Sequence, residues 1–279
     1  MATTTVGDLD MYYEEHGSGD PLLLIMGLAA DSMAWMFQLP AFSERYRTIV
    51  FDNRGVGRSG KPTGPYTIAQ MADDAAGLLD KVEVARAHVV GVSMGGMIAQ
   101  ELALRHPKRV RGLVLACTYP EPDERVMQSR DESLALLGGT TGADGAMQLD
   151  LGAVDPMMIF QTLLPKVFSA DFLMTQLPTL MQLFGGALQW GFDVRAIMAQ
   201  VEATMSHCTT ERLADIAAPT LVVTGDADQL IPPAGSDVLA AKIPGAKLVK
   251  IPNGTHGFNF ETPDVFNRTV LDFLATVHA

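Results

Sequence analysis

Gly91-Val92-Ser93-Met94-Gly95 is the stretch whose residue types and spacing most directly imply chemistry. It sits between the apolar run Ala87-His88-Val89-Val90 and the helix-prone stretch Gly96 to Leu104, so a strand turns abruptly into a helix with a serine at the apex. Such a reversal strains the backbone of the apex residue. A Cβ at either flanking position would collide with the neighbouring strand and helix, so both flanks are glycine. The strain holds the Ser93 hydroxyl out into a cleft. It also leaves the Met94 amide at a helix N-terminus, where a developing oxyanion is favoured. The bare pentapeptide equally fits a glycine-rich loop whose serine only caps a helix. Its setting between strand and helix favours the nucleophile.

A serine hydroxyl is a weak nucleophile at neutral pH, so it needs an adjacent base, and the base needs an orienting acid. Six histidines are available. His16 lies in a turn, His88 in the strand before Ser93, His106 at a helix end, His207 in the middle of the chain and His278 beside the C-terminus. His256 occupies Asn253-Gly254-Thr255-His256-Gly257-Phe258, a glycine-flanked loop after the last strand. Parallel sheets place their ligands beyond the carboxyl ends of the strands, where this loop must lie. The acid has two candidates, Asp226 and Asp228, in Gly225-Asp226-Ala227-Asp228-Gln229-Leu230-Ile231-Pro232. Both follow a strand end, and spacing alone does not separate them.

The elements that must position these groups alternate between strand and helix. Leu9 to Glu15 alternates apolar and polar and predicts an early antiparallel strand. Leu22 to Met26 and Thr48 to Phe51 are continuous apolar runs, as expected for strands buried on both faces. A helix over about Thr67 to Lys81, the strand and helix around Ser93, and a strand at Val110 to Cys117 follow. The same pattern resumes with Thr220 to Gly225, a helix near Ala234 to Lys242, the strand Lys247 to Ile251 and a last helix, Pro263 to Thr276. The expected fold class is α/β: a mostly parallel central sheet with helices on both faces.

Residues 121–212 break that rhythm. They offer no β-branched strand run, only helical stretches interrupted by Pro156, Pro165 and Pro178 and by Gly138-Gly139 and Gly185-Gly186. Eight of the chain's 16 methionines fall between Tyr119 and Arg212. Methionine fills ordinary cores, and it is also what a deformable apolar lid uses to fit varied ligands. We expect an all-helical cap over 121–212, inserted into a core domain of 1–120 and 213–279. Met157, Phe160 and Met181 are its candidate pocket residues. Trp35 is either a pocket wall or a packing aromatic.

Composition bounds the rest. The 279 residues suffice for one α/β domain with an insertion. A formal net charge of −12 argues against a nucleic-acid partner, since phosphate binding needs a basic face. The two cysteines, Cys117 and Cys208, form no disulfide framework, and neither Cys nor His shows a metal-ligand spacing. The N-terminus lacks the basic start and apolar stretch of a signal peptide, and no apolar run approaches the ~18 residues of a membrane span. The expectation is a soluble, cytoplasmic protein with no membrane partner; a homo-oligomer is compatible with the chain.

With Ser93, an acid at 226 or 228 and His256 in chain order, the sequence resembles the α/β-hydrolase superfamily, particularly small bacterial esterases, enol-lactone hydrolases and cofactor-free perhydrolases. The resemblance covers about Leu9 to Pro120 and Leu213 to Val277. The family's acid sits in G-x-x-D-x-x-x-P, which falls on Gly225, Asp228 and Pro232 and so implies Asp228. Asp52 to Ser59 matches the family's D-x-R-G-x-G-x-S loop, and Glu261-Thr262-Pro263 its E-x-P; both imply architectural roles. Where the family usually has His-Gly after the third strand, this chain has Met26-Gly27, followed by Leu28. The resemblance implies that the backbone N–H groups of Leu28 and Met94 form the oxyanion hole, with the bracing of the Leu28 loop left open. It also implies a catalytic set of Ser93, Asp228 and His256, no metal and no organic cofactor. The expected substrate is a small to medium, largely apolar ester or lactone. C–C bond hydrolysis, perhydrolysis and a receptor of low turnover use the same residues.

Overall fold

The structure is a computed structural model, and it describes residues 2–142, 147–150 and 154–277. Strands β1 (Ala2–Val6), β2 (Leu9–His16), β3 (Asp20–Ile25), β4 (Tyr46–Phe51), β5 (Ala87–Val92), β6 (Val110–Ala116), β9 (Thr220–Gly225) and β10 (Lys247–Ile251) form one sheet; β7 (Thr140–Thr141) and β8 (Met147–Gln148) pair apart from it. The eight strands run in the order β1-β2-β4-β3-β5-β6-β9-β10. β1, β2 and β4 pair antiparallel, and every later pairing is parallel. β5 and β9 are buried at every position, as their unbroken apolar runs require for strands covered on both faces.

Helices α1 (Leu39–Ser43), α2 (Ile68–Lys81), α3 (Met94–Arg105), α8 (Ala234–Lys242), α9 (Phe258–Glu261) and α10 (Pro263–Leu274) belong to the sheet-containing part. α2 shows why such segments fold as they do. Thr67 accepts a hydrogen bond from Gln70 N and caps the first turn, while Ile68, Met71, Ala72, Ala75, Leu78 and Leu79 recur at helical spacing and are buried. Two core clusters result, one around α2 and α3 and one around Trp35, Phe258 and Phe266.

Between β6 and β9 the chain adds α4 (Glu124–Leu136), α5 (Pro156–Val167), α6 (Ala170–Gln189) and α7 (Val194–Met205), and, among the described residues, no strand of the main sheet. Three of the expected helix breaks do not occur. α5 runs through Pro165, and α6 runs through both Pro178 and Gly185-Gly186. An internal proline forfeits one backbone bond and costs roughly 3 kcal/mol; a 20-residue helix capped by Ser169 and packed through Leu180 absorbs that. β1 is unannounced in the sequence, because a threonine run with a single buried residue carries no alternation.

Candidate active site

Ser93 stands between β5 and α3 with φ 57° and ψ −123°, a left-handed conformation that a non-glycine residue adopts only where its surroundings enforce it. The enforcement is visible. Ser93 N donates to Ala116 O (2.9 Å), and Ser93 O accepts from Gly96 N (2.8 Å). A Cβ on Gly91 would run into Gly95 O, and a Cβ on Gly95 would run into Ile25 O. A Cβ on Gly27 would lie 3.1 Å from Ser93 Cβ, so the loop after β3 reaches the serine only because that residue is glycine.

His256 and Asp228 come from the loops after β10 and β9. His256 Nδ1 is 2.8 Å from Asp228 Oδ2, and both residues are buried. The second carboxylate oxygen, Oδ1, accepts from Leu230 N (2.9 Å) and Ile231 N (2.8 Å), which fixes the plane of the carboxylate facing the imidazole. Asp226 is exposed and accepts from Asn253 N (2.6 Å), bracing the turn that leads to His256. The two acids that sequence spacing leaves equal thus have different partners. Beneath the pair lies Cys117, which is fully buried with φ 40°. Burial, then the adjacent Asp228 charge, pushes its thiol well above the usual range. Donor atoms of Cys117, Asp228 and His256 fall within 4.8 Å of one another, a ligand-like spacing. The carboxylate, however, already holds Leu230 N, Ile231 N and His256 Nδ1.

Ser93 and His256 both line one cavity of about 340 Å³. Among the described residues no hydrogen bond joins Ser93 Oγ to His256, a contact that commonly tightens only when substrate is bound. The amides of Leu28 and Met94, both lining the cavity, carry no hydrogen bond to any described residue. The Ala29 amide is occupied, donating to Gln200 Oε1 at 3.0 Å. Gln200 is fully buried on α7, and its Nε2 donates to Arg54 O (2.8 Å). Asn53 Nδ2 adds a bond to Met26 O (2.9 Å). These two amides brace the loop that Met26 leaves without the family's customary imidazole. No local pattern points to Gln200, which lies 171 residues from Ala29.

The Asp52 loop is a scaffold. Asp52 accepts from Ser32 N (2.9 Å), Ser32 Oγ (2.7 Å), Arg58 N (2.8 Å) and Arg58 Nε (2.9 Å). Next to it Asp31 lines the cavity, its carboxyl pushed up by burial and then by the Asp52 charge. The helices between β6 and β9 complete the wall with Val126, Leu134, Ile159, Leu163, Leu180 and Met198 among others.

Three of the four expected pocket residues lie elsewhere. Trp35 is fully buried in the core cluster behind the sheet and does not reach the cavity. Met157 is half-buried on α5, and Met181 is exposed on α6; neither lines the cavity. Their helices face it through Ile159, Leu163 and Leu180, residues at helical offsets that a methionine count does not resolve. The side chain of Phe160 lies outside the described residues. Among the described residues, Met198 and Met205 are the methionines of this segment that do line the cavity.

A serine on a strained strand-to-helix elbow, opposite a carboxylate–imidazole pair from the loops after the last two strands of a mostly parallel sheet, defines an α/β-hydrolase architecture. The family model for the alpha/beta hydrolase fold matches residues 20–263, and the chain belongs to that family. A relative from Azorhizobium caulinodans, provisionally named carbamate hydrolase RutD, is 34% identical over 274 residues, covering 97% of each chain. The enol-lactonase from Burkholderia xenovorans LB400 superposes with a TM-score of 0.82 at 28% identity, over 98% of this chain and 100% of its own. A hydrolase from Pseudomonas aeruginosa PA01 gives a TM-score of 0.84 at 30% identity, over 98% and 97%. No described helix is long and apolar enough to cross a membrane.

Proposed function

We propose that this hydrolase cleaves carboxylic esters or lactones through an acyl-enzyme on Ser93, with residues 121–212 acting as a cap over the site. Ser93 Oγ attacks the substrate carbonyl while His256 Nε2 accepts its proton. His256 Nδ1–H donates to Asp228, which holds the tautomer and stabilises the imidazolium. The Leu28 and Met94 amides receive the oxyanion. His256 then returns the proton to the leaving alcohol or ring oxygen, the C–O bond breaks, and the acyl group stays on Ser93. Water attacks the acyl-enzyme with His256 again as base, and the acid departs.

The observation that carries this reading is the opening of Ser93, His256 and two unoccupied amides onto one cavity. The lining is mostly apolar, which favours an uncharged substrate; about 340 Å³ suits one of modest size. The likeness to an enol-lactonase supports the lactone arm. A second reading, carbamate hydrolysis, is favoured by the relative from Azorhizobium caulinodans, and it uses the same acyl-transfer machinery.

The test is a panel of chromogenic short-chain esters, enol-lactones, acyl-homoserine lactones and carbamates, run beside labelling of Ser93 with a small fluorophosphonate. Turnover of the oxygen esters or lactones together with Ser93 labelling is expected. Turnover confined to carbamates would select the second reading. Neither turnover nor labelling would remove both.

A further inference from the structure

The two residues that flank His256 are both tied to one point of the cap. Gly257 N donates to Val167 O (2.7 Å), at the end of α5. Thr255 Oγ1 donates to Glu261 Oε1 (2.9 Å), and the same oxygen accepts from Ser169 N (2.7 Å). Glu261 Oε2 accepts from Ser169 Oγ (2.9 Å), whose oxygen in turn accepts from Phe172 N and caps α6. The carboxylate of Glu261 therefore clasps the α5–α6 junction with one oxygen and shares the other between that junction and the His256 loop. Aromatic packing seals the joint: Phe168 lies edge-on to Phe260 with centroids 5.6 Å apart and stacks on Phe172 at 5.1 Å. A Cβ on Gly257 would run into the Phe168 ring.

An acceptor of three hydrogen bonds from two separate segments does more than begin a helix. Resting on the proposed acyl-transfer reaction, we propose that Glu261 is a positioning residue: it couples the seating of the cap to the placement of His256. A cap held at the α5–α6 junction by a filled cavity sets Thr255 and Gly257, and through them the imidazole between Asp228 and Ser93. Cutting the clasp leaves Ser93, Asp228 and the oxyanion amides in place and loosens only the base.

The experiment measures three things in Glu261→Ala, Glu261→Gln, Ser169→Ala and Thr255→Val. They are kcat and KM for a short-chain ester per titrated Ser93, the rate of Ser93 phosphonylation by a small fluorophosphonate, and Tm. Phosphonylation needs His256 to take the serine proton but makes little use of the cap. In Glu261→Ala, kcat is expected to fall about 10- to 100-fold, the range that about 1 Å of misplacement produces. KM should change less than about threefold, as for loss of an interaction made in the transition state. Phosphonylation should slow by the same factor as kcat. Glu261→Gln, which keeps one acceptor oxygen, should recover part of the loss. Ser169→Ala added to Glu261→Ala should bring no further fall in kcat, because the clasp is already open. Should Glu261→Ala not fold, Thr255→Val removes only the bond on the His256 side and is expected to lower kcat and the phosphonylation rate together. A variant that loses Tm alone, with kcat and phosphonylation at wild-type values per titrated site, overturns the coupling and leaves the hydrolase assignment standing. A wild-type protein that is neither labelled at Ser93 nor active on any ester removes that assignment, and the coupling with it.

Discussion

The floor of the cavity and the helical segment proposed to roof it are built by opposite means. The floor, made by the loops after β3, β5, β9 and β10, is held by backbone geometry and short hydrogen bonds: the elbow at Ser93, the three bonds to Asp228, and the five from Ser32 and Arg58 to Asp52. The roof presents helices whose inward positions are mostly aliphatic and whose outward positions include the exposed Met158, Met174 and Met181. Directional bonds fix atoms to within tenths of an ångström, as bond-making demands. Apolar packing fixes volume and tolerates substitution, as suits the choice of substrate. The floor should therefore respond to mutation in rate and the roof in selectivity.

The sharpest test of that division is Ser93→Ala. It should lower kcat for a chromogenic ester by about 10⁴-fold or more with Tm close to wild type, measured by steady-state assay and thermal melt. Activity near wild type would end the comparison. Asp228→Asn should come next, losing up to about 10⁴-fold through the wrong imidazole tautomer, whereas Asp226→Asn should stay near wild-type kcat because Asp226 touches only Asn253 N. The reverse ranking, with both variants folded, would exchange the two acids.

A proline at Leu28 removes one oxyanion donor and should cost at least about 10²-fold in kcat, while Leu28→Ala keeps its amide and most of the activity. Equal melting temperatures for the two variants make that contrast readable. The roof should behave differently. Met198→Ser or Leu163→Ser should change the kcat/KM ratio between a short and a longer acyl ester by roughly 10-fold, the scale set by one or two methylenes in an apolar pocket. Met181→Ser, at an exposed site, should shift stability by no more than about 0.5 kcal/mol and leave the acyl preference alone. Selectivity that moves with Met181 and not with Met198 or Leu163 would place the lining on another helix face.

The same contrast explains what could be read from the chain. Of the proposed catalytic set, Ser93 and His256 stood out because a strained elbow and a glycine-flanked loop constrain residue types, whereas Asp228 was separated from Asp226 only by the family's motif; the buried strands showed because each is a continuous apolar run. A helix such as Ile68–Lys81, whose apolar residues recur at helical spacing, followed from periodicity. The roof gave only its helical character. Which methionine points inward depends on helix rotation, and composition says nothing of that; Met157 and Met181 were expected at the cavity, and Met198 and Met205 occupy it. Trp35 illustrates the same gap, since an aromatic a few residues from a catalytic loop can as readily face the core. Gln200 was invisible for a different reason: a buried side-chain amide that serves two distant backbone groups leaves no local pattern.

That glutamine bears on how the family's parts can be exchanged. Because Gln200 projects from α7 to hold Ala29 N and Arg54 O, the roof is not a detachable module laid over a finished floor. A chimera that replaced 121–212 with the corresponding helices of a relative would import a new cavity wall. Unless the graft carried an amide at the equivalent point of α7, it would also leave Ala29 N, beside Leu28, and Arg54 O, in the loop after β4, without their partner. Transplanted selectivity would then arrive with a damaged oxyanion hole. Recombination between such enzymes should succeed where the crossover lies after Gln200 and leaves α7 with its native floor.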